Sequence, residues 1–427
     1  MSLLYPIFVA CLGAASLASV FTLLFLLVTA ALTARRDHPA AASGSTLRLA
    51  VIVPAHNEEL MLAETLKSLK AQNYPTDSFE VVVVADNCTD GTAEVARSLG
   101  VTVLERTNPA ERGKGYALNF AISQLLVNPT VPDGFLIVDA DTWVSPDFLA
   151  AMSARLASHS GPNGLSAWQA RYGVLNSQDG WRAALMTGAF DLVNHVKPLG
   201  REFLGLSAGL KGNGMAFSRA VAEQVSWPGG SLTEDLDYGL ELARRFQVRV
   251  GYVPEVTVLA QMPTEGSQGA SQRARWEEGR ARMVRERALP LLWEGVRTRN
   301  LLLWDMGWDL IVLPLAELSG LLTTWALAVS VGAGLHLLPH VSAWAAAVGI
   351  AVLGLLIYIL AGFRVANAPA AAYQALLRAP FYAFWKFALL LPRAFRRRGG
   401  SSSEEWVRTA RTPAAPTSPS PPEAPLA

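Results

Sequence analysis

Residues 3 to 34 of this chain carry no charged side chain. A helix needs roughly 20 apolar residues to cross a bilayer, so this run dictates a membrane anchor before it dictates anything else. A signal peptide would carry positive charge at its start. Here the basic pair Arg35 and Arg36 follows the apolar run. The reading is therefore an uncleaved anchor over residues 1–36, with the following segment on the cytoplasmic side. Two more apolar runs lie near Leu310 to Ala333 and Val341 to Phe363, with Pro339 and His340 in a tight turn between them. Arg364 follows, so residues 300–364 are expected to cross the cell membrane twice and return to the cytoplasm. The composition agrees: 51% hydrophobic and 17% charged residues, with a mean hydropathy of +0.26, are too apolar for a wholly soluble chain.

A net charge of +1 leaves no broad basic field and argues against a nucleic-acid partner. The two cysteines, Cys11 in an apolar run and Cys88 in a polar turn, are not expected to pair, and no Cys/His cluster has zinc spacing. Near the end, "APFYAFWKFALLLPRAFRRR" has Lys386 in its middle and a basic cluster behind it. Spanning would put that cluster outside, so an interfacial amphipathic helix is expected over 370–398. Residues 412–427 read as a disordered Pro-rich tail.

Residues 45–295 form the soluble part. The runs "LRLAVIVPA", "FEVVVVAD", "VTVLER" and "GFLIVDAD" read as strands, separated by helical patterns near 60–72, 91–99 and 115–127. Strands apolar along their whole length, alternating with helices, predict an α/β fold with a parallel sheet covered on both faces. Ligands on such sheets bind beyond the carboxyl ends of the strands. There the chain places "PAHNEE", "ADNCTDGT" and "DADT", so one polar crevice is expected to collect carboxylates from separate strands.

Each of these groups has a plainer reading. Asp90-Gly91 reads equally well as a turn. Asp139 and Asp141 are harder to explain that way, because two close acids repel unless a cation lies between them. Mg2+ or Mn2+ shared with a diphosphate resolves the conflict, since such ions take one or two carboxylates and complete their shell with phosphate oxygens. In "ERGKGYALN", Arg112 and Lys114 flank Gly113 before a helix, which suits a nucleotide phosphate or simply a solvated loop. In "SLTEDLDYGLELARR", Thr233 stands as an N-cap with Glu234 and Asp235 in the first turn, where acids suit the helix dipole without any catalytic purpose. Arg280 to Arg287, in a densely charged helix ahead of the spans, suit anionic headgroups.

Taken in order, "VPAHNEE", "ADNCTDGT", "DAD", "TED" and "QRARW", with an anchor before and spans after, resemble the membrane-bound family 2 glycosyltransferases, the group of cellulose, hyaluronan and chitin-oligosaccharide synthases. The resemblance covers roughly residues 45–300. It implies a Rossmann-like GT-A domain that takes a nucleotide-diphospho-sugar, a UDP-sugar, and passes the sugar to a growing glycan in polysaccharide biosynthesis. It also implies roles by position. Asp86 contacts the uridine, with Ala55 and Glu58 near base and ribose; Asp139 and Lys114 border the donor; Asp141 binds the metal. Asp235 is the general base, with Glu234 beside it in the motif. Gln272, Arg275 and Trp276 lie by acceptor and diphosphate, and "GLKGNGMAF" matches an acceptor-side loop. The family's paired acid on the second strand is here Ala85-Asp86 and its Gly-Ser is Asn87-Cys88, which leaves Asp86 as the sole acid there. A base is needed because a sugar hydroxyl is a poor nucleophile near neutral pH, and opposite-face attack inverts the anomeric carbon. Two alternatives remain at this stage: transfer of a single sugar to a lipid or short glycan, and a non-catalytic nucleotide-sugar-binding subunit. Export or assembly partners are a further expectation.

Overall fold

The computed structural model describes residues 4–35, 46–158, 162–231, 233–262 and 270–379. Helix α1 (Leu4–Thr33) is followed by β1 (Leu49–Ala55), α2 (Leu62–Lys70), β2 (Phe79–Asp86), α3 (Thr92–Ser98), β3 (Thr102–Arg106), α4 (Lys114–Leu126) and β4 (Gly134–Ile137). Next come β5 (Thr142–Val144), α5 (Phe148–Ser158), β6 (Ala167–Val174), α6 (Trp181–Asp191), α7 (Lys197–Phe203), β7 (Met215–Ser218), α8 (Arg219–Gln224), α9 (Glu234–Phe246) and β8 (Val250–Ala260). The chain then turns all-helical: α10 (Ala270–Met283), α11 (Leu289–Thr298), α12 (Leu301–Ile311), α13 (Leu315–Gly334), α14 (Val341–Val365) and α15 (Ala370–Leu376).

The sheet order is β3-β2-β1-β4-β7-β6-β8-β5. Strands β3, β2, β1 and β4 run parallel, as their unbroken apolar runs predict, and β7 enters antiparallel to β4. The two-residue period of β1 divides the core. Leu49, Val51 and Val53 pack with Leu62, Leu66, Phe148 and Met152 on one face; Ala50 and Ile52 pack with Leu118, Ile122, Phe135 and Leu242 on the other. With both faces filled, only the carboxyl edge of the parallel half is left for polar groups.

Among the described residues three helices are long and apolar enough to cross a membrane: α1, α13 and α14. The second span was expected from Leu310; it begins instead at Leu315, because Val312 turns extended and Pro314 starts a new helix. Residues 301–311 are thus a separate helix beside the expected 300–364 pair. The three helices meet closely. A Cβ on Gly13 would stand 2.7 Å from the Trp325 ring, and one on Gly354 would stand 2.7 Å from Val20. Trp325 and Tyr358 fill the interior.

The sheet domain is bolted to this bundle. Gly200 of α7 lies so near α1 that a Cβ would approach the Leu26 carbonyl to 2.2 Å, and Arg171 donates to Asp191 at 2.8 Å and to the Ala366 carbonyl at 3.0 Å. Of the expected interfacial helix over 370–398, α15 packs on α6; the segment from residue 380, including the tail 412–427, lies outside the described residues.

Candidate active site

Just past β1 and β2 the chain places an asparagine with left-handed backbone, Asn57 (φ 56°) and Asn87 (φ 51°). Asparagine tolerates that region better than most residues because its short amide can bond locally. Here each amide oxygen accepts from a neighbouring loop: Asn57 from Thr89 N at 2.7 Å, Asn87 from Asn108 N at 2.8 Å. The turns so pinned hold Asp86 at the lip of β2. Its carboxylate takes Arg106 Nη1 at 2.8 Å, with side chains 8% and 10% exposed, while His56 Nδ1 donates to its carbonyl at 2.7 Å. Ala55 and Glu58 lie buried on the facing strand end. Asp90 Oδ1 accepts from Thr92 N at 3.1 Å at the start of α3, as a turn residue does.

The Asp139–Asp141 segment spans the gap where β4 leaves β1 and β5 joins β8. Thr65 of α2 clamps it, donating to the Ala140 carbonyl at 2.8 Å and accepting from Thr142 N at 3.0 Å. Asn213, fully buried, holds the other side, accepting from Asp139 N at 3.1 Å and donating to Thr142 Oγ1 at 2.8 Å. The charge argument drawn from two close acids needs correction here. Lys114 Nζ pairs directly with Asp139 and donates to the Gly212 carbonyl, so this chain supplies its own cation to one of the two acids. Asp141, two residues on, is half-buried.

Lys114 opens α4, and the next residue, Gly115, brings in the remaining acids. A Cβ on Gly115 would lie 2.4 Å from Glu234 Oε2 and 2.5 Å from the Pro228 carbonyl. The start of α9 therefore stands against the start of α4, and the Thr-Glu-Asp acids meet a lysine distant in the sequence. Burial pushes the Glu234 carboxyl up to about 7, opposed by Lys114 and a hydrogen bond from Gly115. Burial also raises Asp235, against hydrogen bonding from Leu236 N and the attraction of Lys114 and Lys211. A general base is most effective when its pKa lies near the working pH, and desolvation of paired acids is a usual route to it. Arg112, by contrast, is exposed and remains a loop cation. The side chains of Gln272, Arg275 and Trp276 lie outside the described residues, on α10, whose backbone is described.

Several contributors escaped the sequence reading. Arg106, Thr65 and Gln169 are single polar residues in otherwise ordinary stretches, and Asn213 lies in the quoted glycine-rich run without being singled out there. Lys211 had one available signal: a cation inside a run of three glycines with φ of 74°, 80° and 68° at Gly209, Gly212 and Gly214. That backbone is built for close approach.

Among known proteins, the chain is 23% identical over 262 residues to a probable glycosyltransferase, YdaM, of Bacillus subtilis, covering 56% of each. It is 29% identical over 239 residues to the beta-monoglucosyldiacylglycerol synthase of a Synechocystis strain, covering 54% of this chain and 47% of that one. The chain thus matches about half the length of these curated relatives. Its fold is similar to that of a mannosyltransferase of Pyrobaculum calidifontis solved with GDP-Man and Mn2+, at a TM-score of 0.50 and 19% identity, over 82% of this chain and 99% of that one. The description "Glycosyltransferase like family 2" matches residues 47–279, more than half of the chain, and with the strand order and strand-end acids above, this protein is a member of glycosyltransferase family 2 with a GT-A fold.

Proposed function

We propose that this chain transfers one sugar, with inversion, from a UDP-sugar to a lipid or lipid-linked acceptor at the cytoplasmic face of the cell membrane. The observation that carries the reading is the meeting of α4 and α9. It brings Asp235 and Glu234, with displaced pKa, beside the Lys114–Asp139 pair at the carboxyl edge of the sheet. Asp86, oriented by Arg106, accepts from a nucleobase N–H, with Ala55 and Glu58 facing base and ribose. Lys114 and Asp139 border the diphosphate. Asp235 takes the proton of the acceptor hydroxyl as it attacks the anomeric carbon, and Glu234 holds the local charge balance beside Lys114. Gln272, Arg275 and Trp276 are assigned to acceptor and diphosphate by their motif.

The donor set fits a hard divalent ion. Among the described residues no group of three or more His, Cys, Asp or Glu side chains gathers as a metal cage, and one carboxylate completed by diphosphate oxygens suits Mg2+ or Mn2+ better than zinc. Asp141 would hold that ion, which when bound offsets the charge developing on the leaving diphosphate.

The lipid acceptor is supported by the bundle, whose shared interior is filled by Trp325 and Tyr358, and by the glucolipid synthase among the relatives. A second reading, extension of a growing glycan as in the polymer synthases, is favoured by the Gln-x-x-Arg-Trp residues on α10. The test is to incubate membranes containing the full chain with radiolabelled UDP-glucose, UDP-N-acetylglucosamine or GDP-mannose, and to separate organic-soluble from polymeric label. Label in one discrete lipid product supports the reading. Label in long polymer supports the second reading, and transfer from none of the donors, with Mg2+ or Mn2+ present, would refute both.

A further inference from the structure

Between the Gly-rich loop and the membrane bundle lies a group of charges that the transfer step does not employ. Helix α7 supplies Lys197 and Arg201, α12 supplies Asp305 and Asp309, α10 supplies Arg280, and the loop supplies Lys211. Nearly all are satisfied. Lys197 pairs with Asp309 at 2.6 Å, and Arg201 pairs with Asp309 at 3.1 Å and with Asp305. Arg280 donates to the carbonyls of Leu310 at 3.0 Å and Val312 at 2.8 Å. Lys211 is the exception: among the described residues its ammonium has no ion pair or hydrogen bond, although its backbone N–H is fixed at 2.9 Å on Gln169.

An ammonium kept in partial burial beside Lys197 and Arg201 is unfavourable. Burial comes first, and these two cations add to it against Asp309 and Asp235, pulling Lys211 down to about 8. The Gly-rich loop brings the cation and the acid near one another: a Cβ on Gly209 would stand 4.0 Å from Lys211 Nζ, and one on Gly212 would stand 3.6 Å from Asp235 Oδ2.

The position of this loop limits what can reach it. Helices α7 and α12 lean on the last half of α1: Gly200 on Leu26, Thr33 Oγ1 on the Leu199 carbonyl at 3.4 Å, Trp308 Nε1 on Thr22 Oγ1 at 3.1 Å. The Lys114–Asp139 pair reaches the same loop through the Gly212 carbonyl. Lysine binds phosphate as a compact point charge, and phosphate is the anionic group that the cytoplasmic leaflet presents.

We propose that Lys211, backed by Lys197 and Arg201, binds a phosphate group of the acceptor on the membrane side of Asp235, so that an adjacent hydroxyl faces the base. The proposal rests on the reading of Asp235 as that base. A phosphate-bearing lipid and a water-soluble phosphate monoester share this chemistry.

The test reads binding rather than turnover, so it stands apart from that reading. The purified full chain in dodecyl maltoside is titrated with dioctanoyl phosphatidic acid, dioctanoyl phosphatidylcholine, or inorganic phosphate, and its unfolding midpoint is followed. Phosphatidic acid is expected to raise the midpoint saturably and phosphatidylcholine not to. Lys211→Met should weaken the phosphatidic acid response at least tenfold in apparent affinity while leaving the UDP response intact. Lys211→Arg should retain most of it, and Lys211→Gln serves where Met does not fold. An equal response to inorganic phosphate in wild type, lost in the variants, supports the site and assigns it a soluble source. Equal stabilisation by phosphatidylcholine, an unchanged phosphatidic acid response in Lys211→Met and Lys211→Gln, or loss of UDP binding alone in those variants would overturn the proposal. Asp235→Asn should bind phosphatidic acid as wild type does, so a failure of the base assignment shows in transfer and leaves this result standing.

Discussion

On the donor side of the crevice two acids are tightly paired: Asp86 with Arg106, and Asp139 with Lys114. On the acceptor side, Glu234, Asp235 and Lys211 form no ion pair among the described residues, and all three are displaced from their ordinary pKa by burial. The contrast separates two tasks. Paired, hydrogen-bonded groups hold a fixed shape for recognition. A group that must gain or lose a proton in each turnover has to sit where its two states are close in free energy, and burial without a tight partner achieves that.

The donor side breaks first through Arg106→Met. It leaves the Asp86 carboxylate, 8% exposed, without its guanidinium, and breaking a buried pair costs about 3–5 kcal/mol. The midpoint of chemical denaturation should fall accordingly and UDP binding should weaken; an unchanged midpoint would mean that solvent replaces the pair. Asp141→Asn, or a chelator added to the native protein, should lower transfer by about 10²–10³, the scale of losing a group that stabilises developing charge. Full activity in excess chelator would remove the metal from the account.

Gly115→Ala tests how the two sides are joined. Its Cβ would collide with Glu234 and the Pro228 carbonyl, at a cost of about 1–3 kcal/mol for overpacking, and transfer should fall more than donor binding. Equal loss of both would indicate general unfolding. The smallest effect sharpens the acceptor side. Glu234 holds its proton up to about pH 7 in the folded chain, against 4.5 for the free group. The folded state therefore binds the extra proton, so its contribution is complete below the unfolded value and is lost as pH rises to 7. The slope is at most about 1.4 kcal/mol per pH unit. Stability measured from pH 4.5 to 7 should decline less steeply in Glu234→Gln than in wild type; parallel curves would contradict the raised value.

The parallel half of the sheet was legible because β1, β2 and β4 are apolar throughout and end in turn-forming residues. The acids at those ends were legible for the same reason: a carboxylate beside a buried strand has few structural duties. The mixed half beyond β4 was not read as strands, since "MAFS" is four residues long and β8 carries Pro254 in its middle. The start of the second span was misplaced because hydropathy does not register a break at Pro314. Lys114 as the counter-charge of Asp139, and Lys211 as a cation without one, depend on contacts across 25 and more residues, which local pattern cannot supply.

The central claim is that Asp235 removes a proton and does little else, and one comparison tests it most directly: donor affinity and turnover of Asp235→Asn against wild type on the same preparation. The amide keeps the size and shape of the side chain while losing its basicity. The account predicts UDP-sugar affinity within about twofold of wild type, since a shift under 0.5 kcal/mol is what a substitution away from the binding contacts leaves, together with turnover lower by about 10²–10⁴. A variant that binds donor normally and transfers at near wild-type rate would contradict the account, and would reduce Asp235 to a first-turn acid of α9.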